Sequence, residues 1–143
     1  MTIKVGDRLP DTTFMTMGAD GAPKPAKTAE VFGGKKVALF AVPGAYTPTC
    51  HKQHMAGFVQ NYGELKNKKF DVIACTAVND IFVLTAWAKD SGADGKITML
   101  ADGSAEFAKK VGLDIDLNAR GLGDVYKRQV HDMSSATKLC SLA

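Results

Sequence analysis

Apolar residues along the chain fall into short unbroken runs that alternate with stretches of helical spacing. The run near Val37 to Val42 reads V-A-L-F-A-V, a short apolar run of buried-strand length, and Pro43-Gly44 ends it. Beyond that turn, Met55, Phe58, Val59 and Tyr62 recur at helical spacing and predict a helix from about Pro48 to Lys66. Phe70 to Val78, rich in apolar and β-branched residues, reads as the next strand. Asn79-Asp80 then caps a helix running to about Lys89, with Phe82, Val83, Ala86 and Trp87 inside. Ile97 to Leu100 is a third strand, and Ser104 opens a helix to Val111 that Gly112 closes. Asp11 to Ala26, with Gly18, Gly21, Pro23 and Pro25, reads as loop. Alternation of this kind predicts an α/β sheet with helices on both faces.

The junction after the first strand carries the candidate chemistry. Thr47 suits a helix N-cap and Pro48 the first helical position, because proline needs no amide donor there and its φ already fits a helix. Cys50 then falls in the first helical turn. Free amide hydrogens and the positive end of the helix dipole stabilise a negative sulfur there, so the spacing predicts an acidic, reactive thiol.

The string V-P-G-A-Y-T-P-T-C from Val42 to Cys50, followed by His54 and Gly57-Phe58, resembles the type II peroxiredoxins, whose signature places Pro43, Thr47 and Cys50 in this order. The likeness extends to I-K-V-G-D-R-L-P at Ile3 to Pro10, A-V-N-D at Ala77 to Asp80, Trp87, and L-A-D-G at Leu100 to Gly103. It runs collinearly over about residues 3 to 123. It implies a thioredoxin-like fold, a central mixed sheet flanked by helices, in a single domain over residues 1–143. It also implies thiol-dependent reduction of hydrogen peroxide and alkyl hydroperoxides, with no metal, haem or flavin cofactor. The partners implied are a small peroxide, a reductant such as thioredoxin, glutaredoxin or glutathione, and a second copy of the chain in a homodimer. Dimer contacts would involve Pro43 to Tyr46, where Tyr46 replaces a more usual phenylalanine, and the Phe82 to Trp87 helix.

Composition is compatible with that reading. A chain of 143 residues can bury about two-thirds of its unfolded surface without disulfide staples. A formal net charge of +3, with basic residues scattered among acids, offers no nucleic-acid-binding block. No apolar stretch approaches the roughly 18 residues of a membrane span, and the N-terminus lacks a signal-peptide core. The expected compartment is the cytoplasm, or an organelle if the chain is a mature form. Three cysteines make a secreted disulfide framework a poor fit and favour a reducing compartment. Cys50, His51 and His54 have no fourth ligand nearby, so zinc is not expected. His54, one helical turn after Cys50, could tune the thiol or simply bond to backbone.

At a free pKa of about 8.5 only a few per cent of a thiol is ionised at neutral pH, so lowering the pKa gains about thirtyfold in nucleophile. Further acceleration requires hydrogen-bond donors aimed at both peroxide oxygens. Thr47 could supply a hydroxyl and Cys50 its backbone amide. The family adds a distant arginine, matched by position after Gly121-Leu122-Gly123 to Arg128, with Gln129 replacing the family's following aromatic residue. Oxidation of Cys50 would give a sulfenic acid that a second thiol resolves. Cys75, in an apolar strand, reads first as a small hydrophobe and second as a resolving thiol. Cys140 resembles the C-terminal resolving cysteine of animal members, and an external thiol is the alternative. The tail from Asp124 to Ala143 departs from the family pattern: V-H-D-M-S-S-A-T-K shows little strand alternation. The final strands of the sheet could therefore be incomplete, or an altered segment could still reach the site. A catalytically impaired relative acting in redox sensing or binding is the alternative function that this tail raises.

Overall fold

The structure, a computed structural model, describes residues 2–4, 6–47, 55–126, 129–132 and 138–140; residue 126 and the last two stretches are described by backbone alone. Its centre is a sheet in which β3 (Val37–Ala41), β4 (Val72–Ala77) and β5 (Thr98–Ala101) run parallel. Every residue of β3 is buried, as is every residue of β4 after Val72. Parallel strands covered on both faces require near-continuous apolar sequence, which is why both runs were legible as strands.

Side chains from these strands alternate between two separate cores. Ala38, Phe40 and Val42 point to one face with Ile73, Cys75 and Ala77, where they meet Met55, Leu84 and Trp87. Val37, Leu39 and Ala41 point to the other with Ala74 and Leu100, where they meet Phe14, Phe32 and Phe107. The first face is covered by α2 (Ala56–Gln60), α3 (Tyr62–Asn67) and α4 (Ile81–Asp90); the second by α1 (Thr28–Phe32) and α5 (Glu106–Lys110). On the first face Phe58 of α2 stacks on Phe40 with ring centroids 4.0 Å apart and planes 6° from parallel.

Four expectations need correction. The stretch read as loop from Asp11 to Ala26 contains β1 (Thr13–Met17) and β2 (Pro23–Lys27), an antiparallel pair in which Thr13 faces Lys27 and Met17 faces Pro23. Pro23 and Pro25 are tolerated because β2 lies at the end of the sheet, where missing amide donors interrupt no second ladder. The helix expected from about Pro48 to Lys66, whose residues 48–54 lie outside the described residues, is broken at Asn61, whose dihedrals (φ −96°, ψ 11°) leave the helical region between α2 and α3. In α4 the buried side is Ile81, Leu84, Trp87 and Ala88, so only Trp87 of the expected inner residues is inside. Phe82, Val83 and Ala86 face outward, and Phe82 is 64% exposed. The last helix starts at Glu106 rather than Ser104 because Asp102 does the capping: its carboxylate, only 3% exposed, accepts from the amides of Phe107 at 3.3 Å and Ala108 at 3.0 Å.

After Gly112 come β6 (Asp114–Asp116) and β7 (Asp124–Tyr126), an antiparallel pair apart from the main sheet, then β8 (Gln129–Asp132) and β9 (Lys138–Cys140). The seven-stranded order is β2-β1-β5-β4-β3-β8-β9. β8 runs antiparallel to β3, with Gln129 opposite Ala41 and Val130 opposite Phe40, and Cys140 of β9 lies opposite Val130. The polar tail thus pairs through its backbone, which side-chain alternation does not reveal.

Replacing Phe40 by alanine is expected to lower unfolding stability by about 3–5 kcal/mol, because a fully buried aromatic leaves a cavity. Urea denaturation checks this, and a loss below about 1 kcal/mol would mean the Phe40–Phe58 stack does not couple α2 to the sheet.

Candidate active site

β3 delivers the chain to the carboxyl end of the parallel strands, where α/β sheets place ligands. Val42 still donates to the Thr76 carbonyl at 3.1 Å, and Pro43, which cannot donate, releases the chain from the ladder. Gly44 is buried against Thr47: a β-carbon on it would come within 3.3 Å of Thr47 Cγ2. The loop then closes on itself. Thr47 Oγ1 donates to the Gly44 carbonyl at 2.8 Å, and the next amide, Ala45 N–H, donates to Asn79 Oδ1 at 2.8 Å.

Tyr46 has a left-handed backbone, φ 62°, which a bulky residue adopts only under constraint. Its phenol donates to Asp90 Oδ2 at 2.6 Å, and its ring lies 6.5 Å from that of Trp87, inclined by 50°. The hydrogen bond to Asp90 raises the Tyr46 pKa above the usual tyrosine value, helped by partial loss of hydration and by the carboxylate charge. Ionising the phenol would replace a bond by repulsion.

Of the residues expected to form the site, Pro43 and Thr47 are thus placed in one loop. Thr47 departs from the expected donor role, since its proton is engaged by Gly44 and its oxygen is left with acceptor capacity. Cys50 and Arg128 lie outside the described residues, as do His51 and His54. Gln129, the residue after Arg128, pairs with Ala41 at the end of β3 from which Pro43 follows. Met55 enters α2 with helical dihedrals, φ −61° and ψ −46°. Cys75 is fully buried within the core cluster that includes Phe40 and Met99. Cys140 sits opposite Val130, which sits opposite Phe40, so its backbone lies two strands from β3.

Sequence reasoning missed Asn79 and Asp90 as site residues. Asn79 stands in A-V-N-D, where the pattern predicts a helix cap; that cap is Asp80, which accepts from Val83 N at 2.9 Å. Asp90 had no local signal, since its partner lies 44 residues away. Among the described residues no cluster of histidine, cysteine and carboxylate groups could hold a metal, and no helix is long and apolar enough to cross a membrane.

The Redoxin family matches residues 4–130. Peroxiredoxin-2E, chloroplastic, of Arabidopsis thaliana is 46% identical over 123 residues, covering 85% of this chain and 53% of that protein. Peroxiredoxin-2B of the same plant is 43% identical over 121 residues, covering 85% of this chain and 75% of that protein. The chain therefore spans about half the length of the former relative. Among solved structures, reduced Prx3 of Vibrio vulnificus in complex with hydrogen peroxide superposes with a TM-score of 0.90 at 40% identity, over 99% of this chain and 89% of that one.

Tyrosinate absorbance followed through an alkaline titration is expected to show Tyr46 ionising after an ordinary tyrosine, and Asp90→Asn is expected to bring it back towards about 10. Because the folded value is raised, the bond's contribution to stability is complete below the ordinary tyrosine pKa and is lost as pH rises through the folded one. Unchanged titration in Asp90→Asn would exclude the carboxylate as the cause.

Proposed function

Because the chain belongs to the redoxin family and, within it, to the type II peroxiredoxins, we propose that it is a thiol-dependent peroxidase acting on hydrogen peroxide and alkyl hydroperoxides through Cys50. The observation that carries this reading is the loop from Pro43 to Thr47, folded at the carboxyl end of β3 three residues before Cys50.

In the first step the Cys50 thiolate attacks one peroxide oxygen, forming an S–O bond as the O–O bond breaks. The departing oxygen takes the electron pair and a proton and leaves as water or alcohol. With its own proton held by Gly44, the Thr47 oxygen would accept the O–H of the incoming peroxide and orient it. The backbone amide of Cys50 and the Arg128 guanidinium would stabilise the charge that develops. For Arg128 the support is the register of Gln129 on Ala41, which brings the end of β8 next to Arg128 to the end of β3 that leads into the loop.

The sulfenic acid on Cys50 then condenses with a second thiol, releasing water and leaving a disulfide. The burial of Cys75 supports a packing role. Cys140, in register with Phe40 through Val130, is the resolving thiol proposed within the chain, and glutathione, glutaredoxin or thioredoxin the proposed source of the electrons that restore it. We further propose a homodimer whose contact includes the exposed side of α4, where Phe82, Val83 and Ala86 face outward. The compartment proposed is the cytoplasm or, following the chloroplastic relatives, an organelle that keeps thiols reduced.

Stopped-flow oxidation of the reduced protein by hydrogen peroxide, followed by mass analysis of the cysteines, tests the reading. Rapid oxidation at Cys50 is expected, with essentially all activity lost in Cys50→Ser; rapid turnover in that variant would sink the assignment. Arg128→Ala is expected to slow oxidation on the order of tenfold to a hundredfold, as for loss of charge-assisted donors. An unchanged rate would remove Arg128 from the site.

A further inference from the structure

The Gly44–Ala45 peptide is held from both sides. Its carbonyl accepts from Thr47 Oγ1 at 2.8 Å and its N–H donates to Asn79 Oδ1 at 2.8 Å. A peptide unit is planar, so these two bonds are not independent: the Asn79 amide sets the tilt of the plane, and the plane sets where the Thr47 hydroxyl proton points. Asn79 directly precedes Asp80, the N-cap of α4. Asp90, the last residue of the same helix, accepts from the Tyr46 phenol at 2.6 Å. Between these ends Trp87 is fully buried, so α4 is fixed to the core.

Strain in the loop gives these bonds a purpose. A bulky residue in the left-handed region is strained and persists only where its surroundings hold it. Tyr46 at φ 62° lies between the anchored Ala45 amide and Thr47. Without its anchors this residue would relax towards ordinary dihedrals and turn Thr47 with it.

We infer that Asn79 and the Tyr46–Asp90 pair are positioning residues that hold Thr47 in its peroxide-binding orientation from the two ends of α4. Asn79 acts through the Gly44–Ala45 peptide plane, and Asp90 acts through the strained backbone of Tyr46. Neither touches the peroxide. The inference rests on the peroxidase reading, since it assigns Thr47 a substrate to orient.

The test compares two reactions of Cys50 in the full chain: oxidation by hydrogen peroxide, which needs Thr47 in place, and alkylation by iodoacetamide, which needs only the thiolate. Asn79→Leu removes the acceptor while approximating the shape, and Asn79→Asp restores an oxygen at the same position. In Asn79→Leu peroxide oxidation is expected to fall about tenfold, equivalent to one hydrogen bond, with alkylation within about twofold of the parent. Asn79→Asp is expected to recover most of the loss. Tyr46→Phe, which removes only the hydroxyl of a half-exposed residue and keeps the ring, is expected to slow peroxide oxidation about threefold and leave alkylation unchanged.

Unchanged peroxide rates in Asn79→Leu and Tyr46→Phe would overturn the inference, as would peroxide and alkylation rates falling together. Should Asn79→Leu not fold, Tyr46→Phe decides alone. A parent protein that reacts with peroxide no faster than a free thiol removes the peroxidase reading and this inference with it. A fast parent with unaffected variants removes this inference only.

Discussion

Burial of β3 and β4 on both faces is the constraint from which the rest of the molecule follows. With Phe40 packed into one core and Leu39 into the other, a shift of β3 by one residue would exchange its two sets of side chains between differently shaped cores. The strand can therefore end in only one place relative to the helices around it. That place is Val42, still bonded to Thr76, and Pro43 is the first residue released. The loop from Pro43 to Thr47 inherits its starting point from this register.

Once released, the loop is organised by short neutral and charge-assisted hydrogen bonds to α4, while α4 itself is held by apolar packing. Ile81, Leu84, Trp87 and Ala88 anchor the helix, and its two ends present Asn79 and Asp90 to the loop. Stability and positioning thus fall to different residues of one element. The outward side of the same helix carries Phe82 and Val83.

After Gly123, β8 and β9 join the main sheet by backbone pairing. β8 lies along β3 with Gln129 opposite Ala41, and β9 extends the sheet beyond it. An antiparallel ladder needs amides and carbonyls in register more than it needs alternating side chains, so a polar segment can fill such a place. This explains why a tail that departs from the family's pattern is still compatible with a family fold. β1 and β2 make the same point at the opposite end of the sheet, where a hairpin formed from proline- and glycine-bearing sequence reads as loop.

The sequence by itself determined the central strands, the turn at Pro43-Gly44, the helix after Asn79-Asp80, and the order of proline, threonine and cysteine that carries the family resemblance. These are local features: a strand buried on both faces must be apolar throughout, a proline ends a ladder wherever it stands, and a cap lies beside the helix it caps. Tertiary structure alone decided which side of α4 faces inward, because Phe82 and Leu84 are equally apolar and only the sheet beneath the helix distinguishes them. It alone joined Ala45 to Asn79 and Tyr46 to Asp90, bonds between residues 34 and 44 positions apart whose partners carry no mark of each other in the sequence. It also turned the Thr47 proton towards Gly44, because the direction of a hydroxyl depends on which acceptor the folded chain brings within reach.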